Sequence, residues 1–329
     1  MKKTVRIGTR GSKLALAQAN LVKAALEKAD PEIACELTVL KTTGDDFAAW
    51  SAEAPGAASS SRSRSAEPAE SVALKGLFVK EIEEALLEKR IDLAVHSVKD
   101  LETDLPAGLK LAAVLKREDS RDAVVTRDGK KLKDLPGGSA IGASSLRRQA
   151  QLKRVRRDLE FVAIRGNVDT RLRKLDDGEC DALILAACGL IRLGLANRIS
   201  EYLEPTQMLP SPGQGALGIE IRREDSKTAR LVEKLNDPNS SWEVAAERAF
   251  LKALGGSCRV PVGALAQVEE ESLGLTGVVL SPDGLKAVRQ SVRGAKTAAQ
   301  RLGAELASQL RAIGADRLLY GSWAAKTKS

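Results

Sequence analysis

Three consecutive stretches share one layout: a short apolar run, a loop carrying Ser, Gly or Arg, then an amphipathic pattern. They are "SAIGASSLRRQAQLKRV" from Ser139, "LEFVAIRGNVDTRLRKL" from Leu159 and "DALILAACGLIRLG" from Asp181. A strand followed by a helix, repeated, reads as a parallel sheet covered by helices. The N-terminus repeats the unit. Val5 and Ile7 mark a strand, "TRGS" (Thr9–Ser12) a loop, and Leu14, Leu21, Val22, Ala25 and Leu26 the apolar side of a helix. A second strand is expected over Ala34–Thr42.

Further along, the pattern predicts a helix over Lys75–Arg90 with Val79, Ile82 and Leu86 inward, and a buried strand at Leu93–Val95 that ends in polar residues. Leu109–Gly129 carries two strands separated by a polar break at Lys116–Arg121, a candidate crossing between domains. "LPSPGQGALGIEIR" (Leu209–Arg222) is a second, Pro/Gly-rich crossing that leads into a strand. After helices near Ser226–Leu235 and Trp242–Leu254 come three short antiparallel strands, Val262–Gln267, Leu273–Leu280 and Lys286–Val292, and a closing helix at Thr297–Ile313. These form a small C-terminal α+β unit. The tract Ala48–Ala73 is rich in Ser, Ala, Glu and Pro and cannot offset its ordering entropy by burial. It is expected to be a disordered surface loop; its few Arg-Ser pairs are too few for an RNA-binding segment.

The 329 residues carry a formal charge of +8, which points to an anionic partner. Aromatics are only 3%, too few for single-stranded nucleic acid, which needs stacking platforms. No helix-turn-helix, zinc or RNA-recognition signal supports a nucleic-acid surface. One histidine and four scattered cysteines do not make a metal motif, and they suit a reduced cytoplasmic protein. No segment approaches the ~18 apolar residues of a membrane span, and the basic start lacks the apolar run of a signal peptide.

Three strand-to-helix loops repeat one design: "TRGS" with Arg10 and Ser12, "ASSLRR" with Ser144, Ser145, Arg147 and Arg148, and "IRGN" with Arg165, Gly166 and Asn167. Helix N-termini offer free N–H groups, and Arg adds a planar fork for carboxylate or phosphate. In open α/β sheets such loops gather at the strand carboxyl ends, where Arg171 and Arg192 could join them. The absence of GxGxxG and GxxxxGK[ST] argues against a nucleotide, so a small molecule with many carboxylates fits better. In "HSVKD", Asp100 stands beside Lys99, where it could stabilise a cationic intermediate or form a structural salt bridge. His96 could be a general base, though a lone His is more often structural. Packing explains Cys35, Cys180 and Cys188. It explains Cys258 poorly, because "GGSCRVPVG" is a Gly-rich loop in which a thiolate could bond covalently to carbon. A Cys258–His96 protease pair has no family signature.

The ordered blocks "RIGTRGSKLALAQ", "KGLFVKEIEEALL", "DLAVHSVKDL", "GASSLRRQAQL", "RGNVDTRL", "DALILAACGLIRLG", "PGQGALGIE" and "AAERAFLKALGGSCRVPVGA" resemble the porphobilinogen deaminase (hydroxymethylbilane synthase) family nearly end to end. The resemblance implies a transferase of tetrapyrrole and haem biosynthesis. It joins four porphobilinogen molecules, releasing ammonia each time, on a covalent dipyrromethane cofactor. Cys258 matches the family's thioether cysteine, and Asp100 its catalytic aspartate. The carboxylate-binding residues carry over onto Arg10, Ser12, Lys75, Ser97, Lys99, Ser145, Arg147, Arg148, Arg165, Arg171 and Arg192. The implied fold is α/β: two periplasmic-binding-protein-like lobes with a central cleft, plus a small C-terminal α+β domain with the cysteine loop. Residues 1–116 and 216–235 would form lobe 1, with the insertion at about 48–73; 117–215 would form lobe 2, and 236–329 the third domain. A cytoplasmic monomer without metal, nucleic-acid or membrane partner is expected. Three departures stand out: Ala73-Leu74 in place of the family's Gly-Gly, Ala143 for a common threonine, and Ser257 for a glycine beside the cysteine. A non-catalytic binder of the same fold would not need Cys258 and Asp100 together.

Overall fold

The computed structural model describes residues 2–42, 79–255 and 261–320. Lys75, Cys258 and the 48–73 tract lie outside the described residues.

The first sheet has five strands in the order β2-β1-β3-β10-β4. These are β1 (Lys3–Thr9), β2 (Ile33–Val39), β3 (Leu93–Ser97), β4 (Leu109–Val114) and β10 (Leu217–Arg222). The second, ordered β7-β6-β8-β5-β9, comprises β5 (Asp122–Thr126), β6 (Ala140–Gly142), β7 (Glu160–Val162), β8 (Ala182–Ala186) and β9 (Glu201–Leu203). Both sheets are mixed, which corrects the expectation of parallel sheets. β1 runs parallel to β2 and β3, but β10 is antiparallel to β3 and β4. In the same way β6 is parallel to β7 and β8, while β5 is antiparallel to β8 and β9. The reversed strands β5 and β10 are the first ones after each crossing. A chain arriving from the other lobe enters its new sheet from the cleft side and must run away from it.

Helix α1 (Lys13–Ala29) starts at Ser12, whose hydroxyl accepts a hydrogen bond from the Ala15 amide at 3.3 Å. Its buried stripe is Gln18, Ala19, Val22 and Leu26, packed with Val5, Ile7, Leu93 and Ile219. Leu21, expected inward, is 49% exposed, because it lies off the row traced by steps of four. The opposite face of the sheet is covered by α2 (Lys80–Leu87), through Ile82 and Leu86 against Ala94 and Leu109. In lobe 2, α3 (Leu146–Val155), α4 (Val168–Asp176) and α5 (Ala187–Arg192) follow β6, β7 and β8. After β10 comes α6 (Ser226–Glu233).

The C-terminal unit packs α7 (Pro238–Ala253), α8 (Ala299–Ala312) and α9 (Ala315–Tyr320) on the antiparallel β11 (Val262–Glu269), β12 (Ser272–Leu280) and β13 (Ala287–Ala295). Phe250, Leu275, Leu302 and Leu306 fill the core between them. α7 begins four residues before the expected Trp242. Asp237 caps it, accepting from the Ser240 amide at 2.8 Å, and Pro238 occupies the first turn.

Both crossings meet the C-terminal unit at one buried carboxylate. Glu247 of α7 is fully buried and takes a two-pronged bond from Arg117, at 2.8 and 3.0 Å. The same carboxylate accepts the amides of Gly213 at 2.6 Å and Ala266 at 2.8 Å. Arg117 also donates to the Gln214 carbonyl at 2.9 Å. Gly215 has φ +89, and a Cβ there would lie 2.4 Å from the Glu118 carbonyl, so only glycine lets the crossings touch.

Removing one side of a buried ion pair strands the other. Glu247→Leu should therefore cost about 3–5 kcal/mol, read as a lower urea midpoint; a parental midpoint would deny that the junction holds the three units together.

Candidate active site

The carboxyl ends of β1, β3, β7 and β8 point into one cleft between the sheets. A cavity of about 230 Å³ there is lined from the first lobe by Arg10, Ser12, Gln18, Ser97, Lys99 and Asp100. The second lobe contributes Arg148, Asn167, Arg171, Cys188 and Arg192, and the second crossing contributes Gly215. At the rim the lobes touch: Lys13 pairs with Asp169 at 3.4 Å, and Leu14 lies against Gly189.

Asp100 ends a single 3₁₀ turn, Val98–Asp100, directly after β3. The turn leans on the second crossing. The Val98 amide donates to the Ala216 carbonyl at 3.1 Å, and a Cβ on Gly213 would lie 3.0 Å from the Lys99 amide nitrogen. Ser97 faces α1, where Gln18 Nε2 donates to its hydroxyl at 3.0 Å. β3 thus runs two residues further than expected. Its histidine is buried and makes a 3.0 Å contact from Nε2 to Glu220 Oε2 of β10.

The cations fall into two groups. Arg147 and Arg148 are both buried against Asp122, the first residue of β5. Arg147 Nη1 reaches Asp122 Oδ2 at 2.7 Å and also donates to the Leu209 carbonyl, while Arg148 Nη2 reaches Oδ1 at 2.8 Å. Burial opposes ionisation of Asp122, but the two guanidiniums outweigh it and hold the carboxyl well below the usual range. Arg147 does not line the cavity, and its guanidinium is engaged by Asp122 and the Leu209 carbonyl; Arg148 both lines the cavity and pairs with Asp122. Arg171 and Arg192 behave differently. Arg171 donates to the Gly166 carbonyl at 2.7 Å and has no carboxylate partner among the described residues, and burial pulls it down to about 10. Burial also lowers Arg192. Lys99 is lowered by burial, which Asp100 opposes. At about 10, Arg171 stays charged near neutrality, so the protein holds desolvated positive charge that a bound anion would relieve.

Ser145 and Asn167 stand at the N-caps of α3 and α4, and neither side chain makes a capping bond. Their helix N-termini keep unsatisfied N–H groups. Neither Ser145 nor Arg165 lines the cavity itself. Gln18 and Cys188 line it without having been assigned there. A polar residue on the buried stripe of α1 was the signal for Gln18; Cys188 sits in an apolar run that gives none.

Family models match most of the chain. "Porphobilinogen deaminase, dipyromethane cofactor binding domain" spans residues 5–230, and "Porphobilinogen deaminase, C-terminal domain" spans 242–312. The chain belongs to the porphobilinogen deaminase family. Porphobilinogen deaminases among its relatives include that of Syntrophobacter fumaroxidans, 46% identical over 96% of this chain and 97% of the relative. That of Geobacter metallireducens is 49% identical over 96% and 94%, and that of Thermus thermophilus 46% identical over 96% and 98%. Among solved structures, the BenM effector-binding domain with benzoate shows a TM-score of 0.40 at 16% identity, covering 71% of this chain and 91% of that one. The porphobilinogen deaminase fold here is two α/β lobes, each built on a five-stranded mixed sheet, and a small C-terminal α+β domain.

Asp122→Asn should leave Arg147 and Arg148 buried without their counter-charge, costing about 3–5 kcal/mol at pH 7 by urea unfolding. Because the folded-state pKa of Asp122 is depressed, its contribution is complete above the ordinary carboxylate pKa of about 4 and drains away as pH falls below it. The gap between parent and variant should narrow at pH 3; a gap that widens there would reverse the assignment.

Proposed function

We propose that this chain, as a hydroxymethylbilane synthase, carries out its stepwise deaminating condensation of four porphobilinogen molecules in the cleft beside Asp100. One observation carries the reading. A single cavity brings Asp100 together with Arg10, Lys99, Arg148, Arg171 and Arg192 from two lobes. Each porphobilinogen bears an acetate and a propionate, so the product chain is a polyanion. The under-neutralised guanidiniums of Arg171 and Arg192 suit its carboxylates, and Ser12 and Ser97 add hydroxyls at the cavity wall, with Ser145 set back from it at the start of α3. The residues present therefore fit the dipyrromethane cofactor. Bound through Cys258, that group supplies a tethered pyrrole α-carbon as the nucleophile for the first addition.

Asp100 acts on the incoming ring. Its carboxylate accepts the pyrrole N–H and balances the positive charge that develops as the aminomethyl C–N bond breaks and ammonia leaves. One C–C bond then forms and one α-proton is lost. Arg10, Lys99 and Arg148 hold carboxylates so that the ring faces Asp100, which makes each addition effectively intramolecular. In this reading Lys75, Arg147 and Arg165 complete the anion-binding set, with Arg147 acting by orienting Arg148 through Asp122.

Lobe 1 is taken as 1–116 with 216–235, lobe 2 as 117–215 and the third domain as 236–329, one sheet to each. We read the protein as a cytoplasmic monomer. No helix among the described residues is long and apolar enough to cross a membrane, and Cys35, Cys180 and Cys188 are free thiols, as a reducing compartment requires.

Intact mass under denaturing conditions tests the tether. The parent should exceed its sequence mass by two porphobilinogen units less two ammonias, and Cys258→Ser should not. Asp100→Asn should keep the added mass and lose turnover by about 10²-fold or more, the scale for one electrostatic contact to a developing charge. Normal turnover in that variant would remove Asp100 from the chemistry.

A further inference from the structure

The chain's one histidine is used by nothing so far described, yet it lies four residues before Asp100. His96 and Glu220 stand on adjacent strands. The register pairs His96 with Gly218 and Ala94 with Glu220, so the two side chains are diagonal neighbours on one face of the sheet. Their side chains are 6% and 0% exposed, and Nε2 and Oε2 are 3.0 Å apart. That approach is a contact without hydrogen-bond geometry: among the described residues neither His96 Nε2 nor either Glu220 carboxylate oxygen has a hydrogen-bond partner. The pair sits under α2 beside the apolar cluster of Ile82, Leu86 and Leu109. Glu83 of α2, Glu102 after the aspartate turn and Arg248 of α7 bear on it: burial, with Glu220 and Glu102, pushes Glu83 up to about 7, and Arg248 feels Glu220.

A buried polar pair with so few bonds is a poor stabiliser; apolar residues of similar size are commonly as stable or more so. Its placement offers another reason for it. β3 and β10 are the two strands that frame the aspartate turn, since β3 leads into Ser97–Asp100 and β10 begins just after Ala216, whose carbonyl accepts the Val98 amide. On the other face of β3, Ser97 is held by Gln18. The His96–Glu220 contact on one face and the Gln18 bond to Ser97 on the other thus bracket the end of β3 just before the turn that carries Asp100. We infer that His96, packed in contact with Glu220, is a positioning residue for the Ser97–Asp100 turn. The inference rests on the reading of Asp100 as the residue acting on substrate.

The test replaces the pair with apolar residues in the holoenzyme. His96→Leu combined with Glu220→Leu should fold, keep the added mass on Cys258 and unfold at no lower urea concentration than the parent. Its kcat should fall about tenfold or more, with KM for porphobilinogen within about twofold. Parental kcat in a folded, loaded double variant would overturn the inference. A second readout needs no variant, because ring-¹⁵N labelling gives the signals of one histidine only. Those signals should move when porphobilinogen is added to the parent holoenzyme, and signals that stay fixed through turnover would overturn the inference even if the double variant failed to fold. Asp100→Asn run alongside separates the failures. Lost turnover there with parental turnover in the double variant removes only the positioning role. Parental turnover in both removes the Asp100 reading, and this inference with it.

Discussion

Glu247 is a fully buried carboxylate shared by four donors from three parts of the chain: both forks of Arg117, the Gly213 amide and the Ala266 amide. A charge in such a place is costly unless it is paired and its lone pairs are used, as they are here. That requirement fixes the geometry around it. Arg117 is on the first crossing, Gly213 on the second and Ala266 on the first strand of the C-terminal sheet, so each must approach within hydrogen-bond reach of one point. The crossings in turn bind each other through Gln214, whose Nε2 donates to the Ser120 carbonyl and to Asp122. From Asp122 the chain of contacts continues to Arg147 and Arg148, and so to the wall of the cleft.

The arginines of the cleft show how one residue type serves two ends. Where a carboxylate is supplied, as at Asp122, the guanidinium is structural scaffolding with a fixed direction. Where none is supplied, as at Arg171, burial and the neighbouring Arg148 charge both act against the cation, and its charge is the one we propose for a ligand. Both are needed. A cleft made only of unpaired cations would be hard to fold, and one made only of pairs would have nothing to offer an anion.

Much of this was readable in advance. The TRGS loop before an amphipathic run announced the start of α1, and the break at Lys116–Arg121 and the Pro/Gly stretch at Leu209–Gly215 announced the crossings. Arg10, Ser97, Lys99, Arg171 and Arg192, carried over by the resemblance as carboxylate-binding residues, line one cavity with Asp100, carried over as the catalytic aspartate. Strand direction was not readable, because hydrophobic period carries no arrow; β5 and β10 are reversed by where the chain enters the sheet. Nor could Arg147 be told from Arg171, since the difference is Asp122, 25 residues from Arg147 in the chain and adjacent only after folding. The start of α7 was legible but unused: Asp237-Pro238 is a cap followed by a first-turn proline.

The ties across the cleft are unequal in kind. At the hinge they are buried and shared, through Glu247, Gln214 and Gly215. At the mouth the ion pair between Lys13 and Asp169 is solvent-exposed, the sort worth about 0–1 kcal/mol. A cavity of about 230 Å³ is below the roughly 300–1,000 Å³ of pockets that enclose drug-sized ligands, and the chain built here gains a ring at every step. Elongation and room must therefore come together. The molecule is built like a purse, with an exposed ion pair and the Leu14–Gly189 contact as its clasp and a buried, shared set of bonds as its seam, so that any parting of the lips to seat an added ring would break far fewer bonds than a shift at the hinge.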